Sequence, residues 1–174
     1  GGAGARTILV SCLGLIWGLR LSIHIFWRNH GQGEDPRYRA MRDAVGPSFR
    51  YRSWATVFLL QGGLLWVIAI PWAVALSPTG PALGPWDAVG CLLWLVGFLF
   101  EAVGDAQLAQ FKRHPAHRGQ VMDRGLWRWT RHPNYFGEAT SWWGFYCLAV
   151  AAGGAWTIYS PILMTFLLLK VSGV

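Results

Sequence analysis

From Trp86 to Phe111 the chain is apolar over more than the roughly 20 residues needed to cross a hydrocarbon core. No other feature limits the fold as much. In lipid a backbone must satisfy its own hydrogen bonds, so such a run folds as a helix. Comparable runs lie at about 7–27, 53–76, 135–152 and 156–171. Together they predict an all-α fold, a polytopic transmembrane helical bundle with five spans, as a single membrane domain over 1–174. The 53% hydrophobic content, 13% charged content and twelve Trp exclude an ordinary soluble domain.

The net charge of +7 would suit nucleic acid if it formed one exposed basic face, but it does not. Six of the fifteen Lys and Arg lie between Arg28 and Arg52, and six between Lys112 and Arg131. These are the first and third connections between apolar runs, so they emerge on one side. The positive-inside rule makes 28–52 and 112–134 cytoplasmic loops of an integral, multi-pass membrane protein. That membrane is the bacterial inner membrane or, in a eukaryote, the endoplasmic reticulum. The chain lacks an initiating Met and stops close to an apolar run, so a piece of a longer protein is expected.

Several features have bland explanations. Cys12, Cys91 and Cys147 share no short spacing and read as small buried hydrophobes, and no metal-binding spacing is present. Gly62-Gly63 is expected to allow close helix approach, Pro71 to kink its helix, and Gly153-Gly154 to close a tight hairpin between the last two spans. A short helix is expected from Pro36, with Glu34 or Asp35 as its cap.

The chemistry is concentrated elsewhere. Glu101, Asp105, Leu108 and Lys112 stand at i, i+4, i+7 and i+11, so one helical stripe carries two acids down to a basic loop. Each acid costs roughly 2.5 kcal/mol or more at mid-bilayer, which argues against lipid-facing positions. Arg20 and His24 lie one turn apart in the first span. They either snorkel to the interface or point into a polar cavity, and an ion pair between Arg20 or His24 and the two acids would by itself fix packing. Pro133 suits the first turn of a helix, which puts Asn134 and Glu138 on one face beside Arg128 and Arg131. Arg37, Arg39 and Arg42 with Tyr38 form either an ordinary cytoplasmic loop or a surface that clasps phosphates. Clustered toward one side, these groups outline a cavity with a wet cationic mouth and an apolar interior, suited to a phosphorylated cofactor and a lipid-like partner.

Arg131-His132-Pro133-Asn134-Tyr135-Phe136-Gly137-Glu138, preceded by Gly125-Leu126-Trp127-Arg128, resembles the signature of the bacterial domain-of-unknown-function branch of the steroid 5α-reductase superfamily. Gly33-Glu34-Asp35-Pro36-Arg37-Tyr38-Arg39-Ala40-Met41-Arg42 and Trp17-Gly18-Leu19-Arg20-Leu21-Ser22 are similar to two further motifs of that branch. The resemblance covers essentially the whole chain. It implies a seven-helix membrane reductase that uses NADPH, of which this chain lacks the first two helices and the C-terminal tail.

By position, the resemblance implies cofactor contacts from Arg20, Asp105, Leu108, Lys112, Arg131, Asn134, Tyr135 and Glu138, with Arg37 and Arg39 from the loop. Two departures stand out. The family often has Asn where Glu101 stands, and the animal enzymes have a carbonyl-polarising Tyr about where Trp17 stands, with its partner Glu upstream of Gly1. The implied reaction is hydride transfer from NADPH to the C=C bond of an apolar enone, steroid-like or another lipid. Isoprenylcysteine and phospholipid methyltransferases share an Arg-His-Pro-x-Tyr-x-Gly motif, so an S-adenosylmethionine-dependent methyltransferase is the alternative. A non-enzymatic lipid-binding membrane protein is the third possibility.

Overall fold

Helices make up 85% of the structure, and no strand occurs among the described residues, 2–31, 33, 36–77 and 81–171, of the computed structural model. The long elements are α1 (Gly2–Asn29), α2 (Pro36–Val45), α3 (Phe49–Ser53), α4 (Leu60–Ala75), α5 (Pro85–Arg113), α6 (Pro133–Ala151) and α7 (Tyr159–Phe166). Among the described residues, three stretches are long and apolar enough to cross a membrane: Gly4–Asn29, Tyr38–Ala75 and Pro85–Arg113. Their outer faces carry Leu15, Leu19, Phe58, Trp66, Leu92 and Leu99, all exposed, as expected for surfaces that meet lipid.

Helix starts follow local chemistry. Pro133 and Pro85 occupy first-turn positions, where no backbone donor is needed, and Pro36 opens α2 as expected. The suggested caps Glu34 and Asp35 lie outside the described residues. The 28–52 connection is more helical than a loop. After α2 the backbone turns at Gly46, φ +67°, then continues through α3 and a π-helical stretch, Trp54–Leu59, directly into α4. Gly153, φ +89°, closes the expected hairpin between α6 and α7.

Small residues bring α5 and α6 together in an antiparallel pair. A Cβ on Gly97 would lie 2.5 Å from the Gly137 carbonyl oxygen and the Ser141 nitrogen, and one on Gly144 2.7 Å from the Gly90 oxygen. Gly104 packs on Pro133 and the Asn134 backbone. Helix α4 runs antiparallel to α1, with Gly14 against Trp72 and the Trp72 indole N–H donating to the Val10 carbonyl at 3.3 Å. Ser160 of α7 donates to the Ile68 carbonyl at 2.6 Å. The apolar core gathers Val10, Ile68, Trp94, Trp142, Phe145 and Leu148.

Close approach therefore occurs at Gly90, Gly97, Gly104, Gly137 and Gly144, not at Gly62-Gly63, which have no atom within 4 Å of an added Cβ. That expectation is corrected, because a glycine pair in an apolar run fits a lipid-facing surface as well as an interface. Gly63→Ala is accordingly expected to be neutral or to stabilise α4 by up to about 1 kcal/mol, the helix-propensity gain over glycine. Reversible unfolding in detergent measures it. Among the cysteines, Cys147 is buried and Cys91 half-buried, but Cys12 is exposed on α1, so the buried assignment fails there.

Candidate functional site

Helices α1 and α5 run parallel, which brings Arg20 level with Glu101 and Asp105. Arg20 Nη1 donates to Asp105 Oδ2 at 2.7 Å, and Nη2 pairs with Glu101 Oε1. The Trp17 indole donates to Glu101 Oε2 at 3.2 Å. His24 Nε2 stands 3.7 Å from Asp105 Oδ2, and Asn134 Nδ2 reaches Asp105 Oδ1 at 3.5 Å. One guanidinium thus holds two carboxylates from successive turns of α5, while α6 contributes an amide from its first turn. Glu101 is only 4% exposed and has both oxygens engaged. Glu138, one turn beyond Asn134, is half-buried and within range of the charges of Glu101, Arg20 and Asp105.

Arg20 therefore does not snorkel: it points inward and makes the ion pair with both acids that would by itself fix packing, and His24 stands beside Asp105. The close α5–α6 contact sets this geometry, because Gly137 packs directly on the backbone of Glu101 and Gly104 on that of Asn134.

Two buried atoms of the cluster have no hydrogen-bond partner among the described residues, the donor Arg20 Nε and the acceptor Asn134 Oδ1. Orphaned buried groups are rare, and a donor and an acceptor flanking one carboxylate would suit a ligand group offering both, such as a carboxamide. A cavity of 610 Å³ opens beside Asn134, lined by His24, Trp27, Arg28, Asp105, Leu108, Lys112, Arg113 and Asn134. Its rim is cationic and its floor is the Asp105 cluster. A second groove of 540 Å³ lies between the outer faces of α1 and α5, lined by Ile16, Leu19, Ile23, Phe98, Ala102 and Ala106 with Arg20, His24 and Asp105 at its polar end.

The site residues suggested by the sequence divide accordingly. Trp17, Arg20, Asp105 and Asn134 join Glu101 in one hydrogen-bonded network, Leu108 and Lys112 line the larger cavity, and Glu138 lines neither opening. Arg131 is exposed and Tyr135 stacks on His132 at 5.1 Å, and neither borders the cavity. Arg39 is exposed and lines no part of it, and the side chain of Arg37 lies outside what is described. The loop from 112 is pinned to α5 by Trp127, whose indole donates to the Gly104 carbonyl at 3.0 Å, and by Gln107, which accepts from the Leu126 N–H at 3.0 Å. Sequence reasoning missed the Trp17–Glu101 bond, although their places on neighbouring spans left it open.

At the opposite end lies a second buried pair that sequence reasoning also missed. Arg6, 1% exposed, donates from Nε and Nη2 to both oxygens of Asp87, 3% exposed, at 2.7 and 2.9 Å. Its remaining donors reach the Pro81 and Ala82 carbonyls, and Asp87 also accepts from the Gly84 N–H. Every group is satisfied and no orphaned atom adjoins it, so this pair is a clamp. Its signal was an acid three residues after a glycine at a helix start.

Among known proteins, the family model described as "Protein of unknown function (DUF1295)" matches residues 1–174. An uncharacterized protein of Schizosaccharomyces pombe is 26% identical over 189 residues, covering 91% of this chain and 53% of that protein. A probable O-methyltransferase of Ustilaginoidea virens, ustE, is 34% identical over 92 residues, covering 52% of this chain and 31% of that protein. The chain thus spans about half the length of the first relative and under a third of the second. No solved structure matches.

Proposed function

The chain belongs to a steroid 5α-reductase-like membrane family, the one described as a protein of unknown function, DUF1295, and from that premise we propose an NADPH-dependent reductase of the C=C bond of an apolar, steroid-like or other lipid enone. The observation that carries the proposal is the meeting of a cation-rimmed cavity and an apolar groove at one cluster, Arg20, His24 and Asp105. A cofactor with an anionic tail and a lipid-like substrate require two such openings. The reductase chemistry itself rests on the family resemblance of Asn134, Glu138 and Asp105.

In this proposal Arg28, Lys112 and Arg113 attract the phosphates, Leu108 supports the sugar, and the orphaned Arg20 Nε donates to, and Asn134 Oδ1 accepts from, the nicotinamide carboxamide. Glu138 stands behind Asn134 and orients that end. The bound cofactor supplies hydride, and the chain's own tasks are to hold the two reactants in line, stabilise the oxygen of the reduced enone and exclude water.

The topology proposed with it has five spans in a seven-helix whole. Helix α6, 19 residues, rises about 28 Å at 1.5 Å per residue and reaches nearly across the hydrocarbon. The 28–52 and 112–134 connections face the cytoplasm, where NADPH is available, in a bacterial inner membrane or the endoplasmic reticulum.

A specific observation favours a second proposal. Similarity to a probable O-methyltransferase makes S-adenosylmethionine the competing cofactor, and its sulfonium would tolerate the acids of the cluster. Equilibrium binding to the full-length protein in nanodiscs distinguishes the two. Saturable NADPH binding without S-adenosylmethionine binding is expected, and the reverse pattern would overturn the reductase. Asn134→Ala removes about one hydrogen bond and is expected to weaken NADPH binding about 3- to 10-fold.

A further inference from the structure

Two residues, His24 and Asp105, line both the cationic cavity and the apolar groove. A group at that junction faces cofactor and substrate at once. Building on the reductase proposal, we propose that His24 is the proton donor of the reaction, with Asp105 orienting its ring.

The other polar groups nearby are committed or chemically unsuited. Trp17 gives its indole N–H to Glu101 and holds no transferable proton. Both Glu101 oxygens are engaged beneath the surface. Asp105 accepts from Arg20 and Asn134, so its oxygens are already engaged. Glu138 borders neither opening. His24 is partly accessible and turns Nε2 toward Asp105 at 3.7 Å, which leaves Nδ1 as the nitrogen to carry the proton. Asp105 on one side of the ring leaves the other nitrogen free to meet a substrate at the junction.

The chemistry balances. When bound, NADPH would supply the hydride taken up by the β-carbon of the enone and would itself be oxidised as the enone is reduced. The electron pair of the C=C bond moves toward the carbonyl as an enolate. Its α-carbon then takes the proton from His24 Nδ1, the N–H bond breaks, and the pair stays on the ring. Water in the cationic cavity returns a proton to His24. The charged groups facing the ring are Arg20 and Arg28 from α1 and Asp105, Lys112 and Arg113 from α5, while α6 presents the neutral Asn134.

The test uses the full-length protein with NADPH and cyclohex-2-enone, the latter in excess. With histidine-selective isotope labelling, the His24 resonance, identified by its loss in His24→Gln, is expected to shift on addition of the enone as well as of NADPH. His24→Gln is expected to bind NADPH within about twofold of the wild type and to lose about 100-fold or more in kcat, with the limb of the pH–rate profile that reports the acid removed. Added imidazole is expected to restore part of the rate. A variant with unchanged kcat and pH profile, or a His24 signal indifferent to the enone while NADPH binds, overturns the proton-donor role and leaves the reductase standing. Absence of NADPH binding to the wild type overturns both.

Discussion

Asp87→Ala is expected to destabilise the protein by about 3–5 kcal/mol, the usual consequence of leaving one member of a buried ion pair without its partner. Arg6 would keep only the Pro81 and Ala82 carbonyls, at 3.0 and 3.2 Å, with its charge uncompensated in a site that water does not reach. The Gly84 N–H would also lose its acceptor at the start of α5. The double replacement Arg6→Met with Asp87→Leu is expected to recover most of the loss, because apolar groups of similar size need no pairing. Unfolding curves for the two single variants and the double variant measure both effects. A single variant as stable as wild type would show that the clamp contributes nothing.

Gly97→Ala is expected to cost about 2–3 kcal/mol even though it adds one methyl group. The new carbon would meet Ser141 Oγ at 2.4 Å and the backbone of Gly137 and Ser141 at 2.5 Å. A flexible side chain could give way, but two helix backbones cannot, so α5 and α6 must separate. Separation at this level also moves Glu101 away from Gly137 and Asp105 away from Asn134, so any folded remainder is expected to bind NADPH more weakly. Gly63→Ala is the control: the same chemical change on an open face. Equal melting temperatures for Gly97→Ala and Gly63→Ala would refute the account of the α5–α6 contact.

The two ion-paired levels divide the labour along α1. The Arg6–Asp87 clamp has every donor and acceptor satisfied and holds the register of α1 on α5. The Arg20 level repeats the pairing but leaves Arg20 Nε and Asn134 Oδ1 unmatched. That incompleteness distinguishes the two levels, since unmatched buried groups destabilise a protein until something completes them.

Much of this was legible in the residues alone. The stripe Glu101, Asp105, Leu108 and Lys112 does lie on one face of α5 and leads from the cluster to the cavity rim. Pro133 does open a helix whose first turn brings Asn134 to Asp105, and Gly153 does close the final hairpin. Local rules suffice for these, because they depend on helical period and backbone dihedrals within a few residues.

Other features depended on contacts between distant segments. Arg6 lay just outside the first apolar run and Asp87 at the start of another, and neither was marked out by its neighbours in sequence. Which glycines allow close packing was equally hidden, since Gly62-Gly63 and Gly97 differ in what faces them and not in what flanks them. The sequence by itself determined the all-helical character and the stripe that bears the acids, because lipid leaves a backbone few other choices. Only the tertiary structure decided which helix faces meet, which charges pair and which buried atoms stay unmatched, because parallel α1 and α5 and antiparallel α6 bring side chains together across separations that no local pattern encodes.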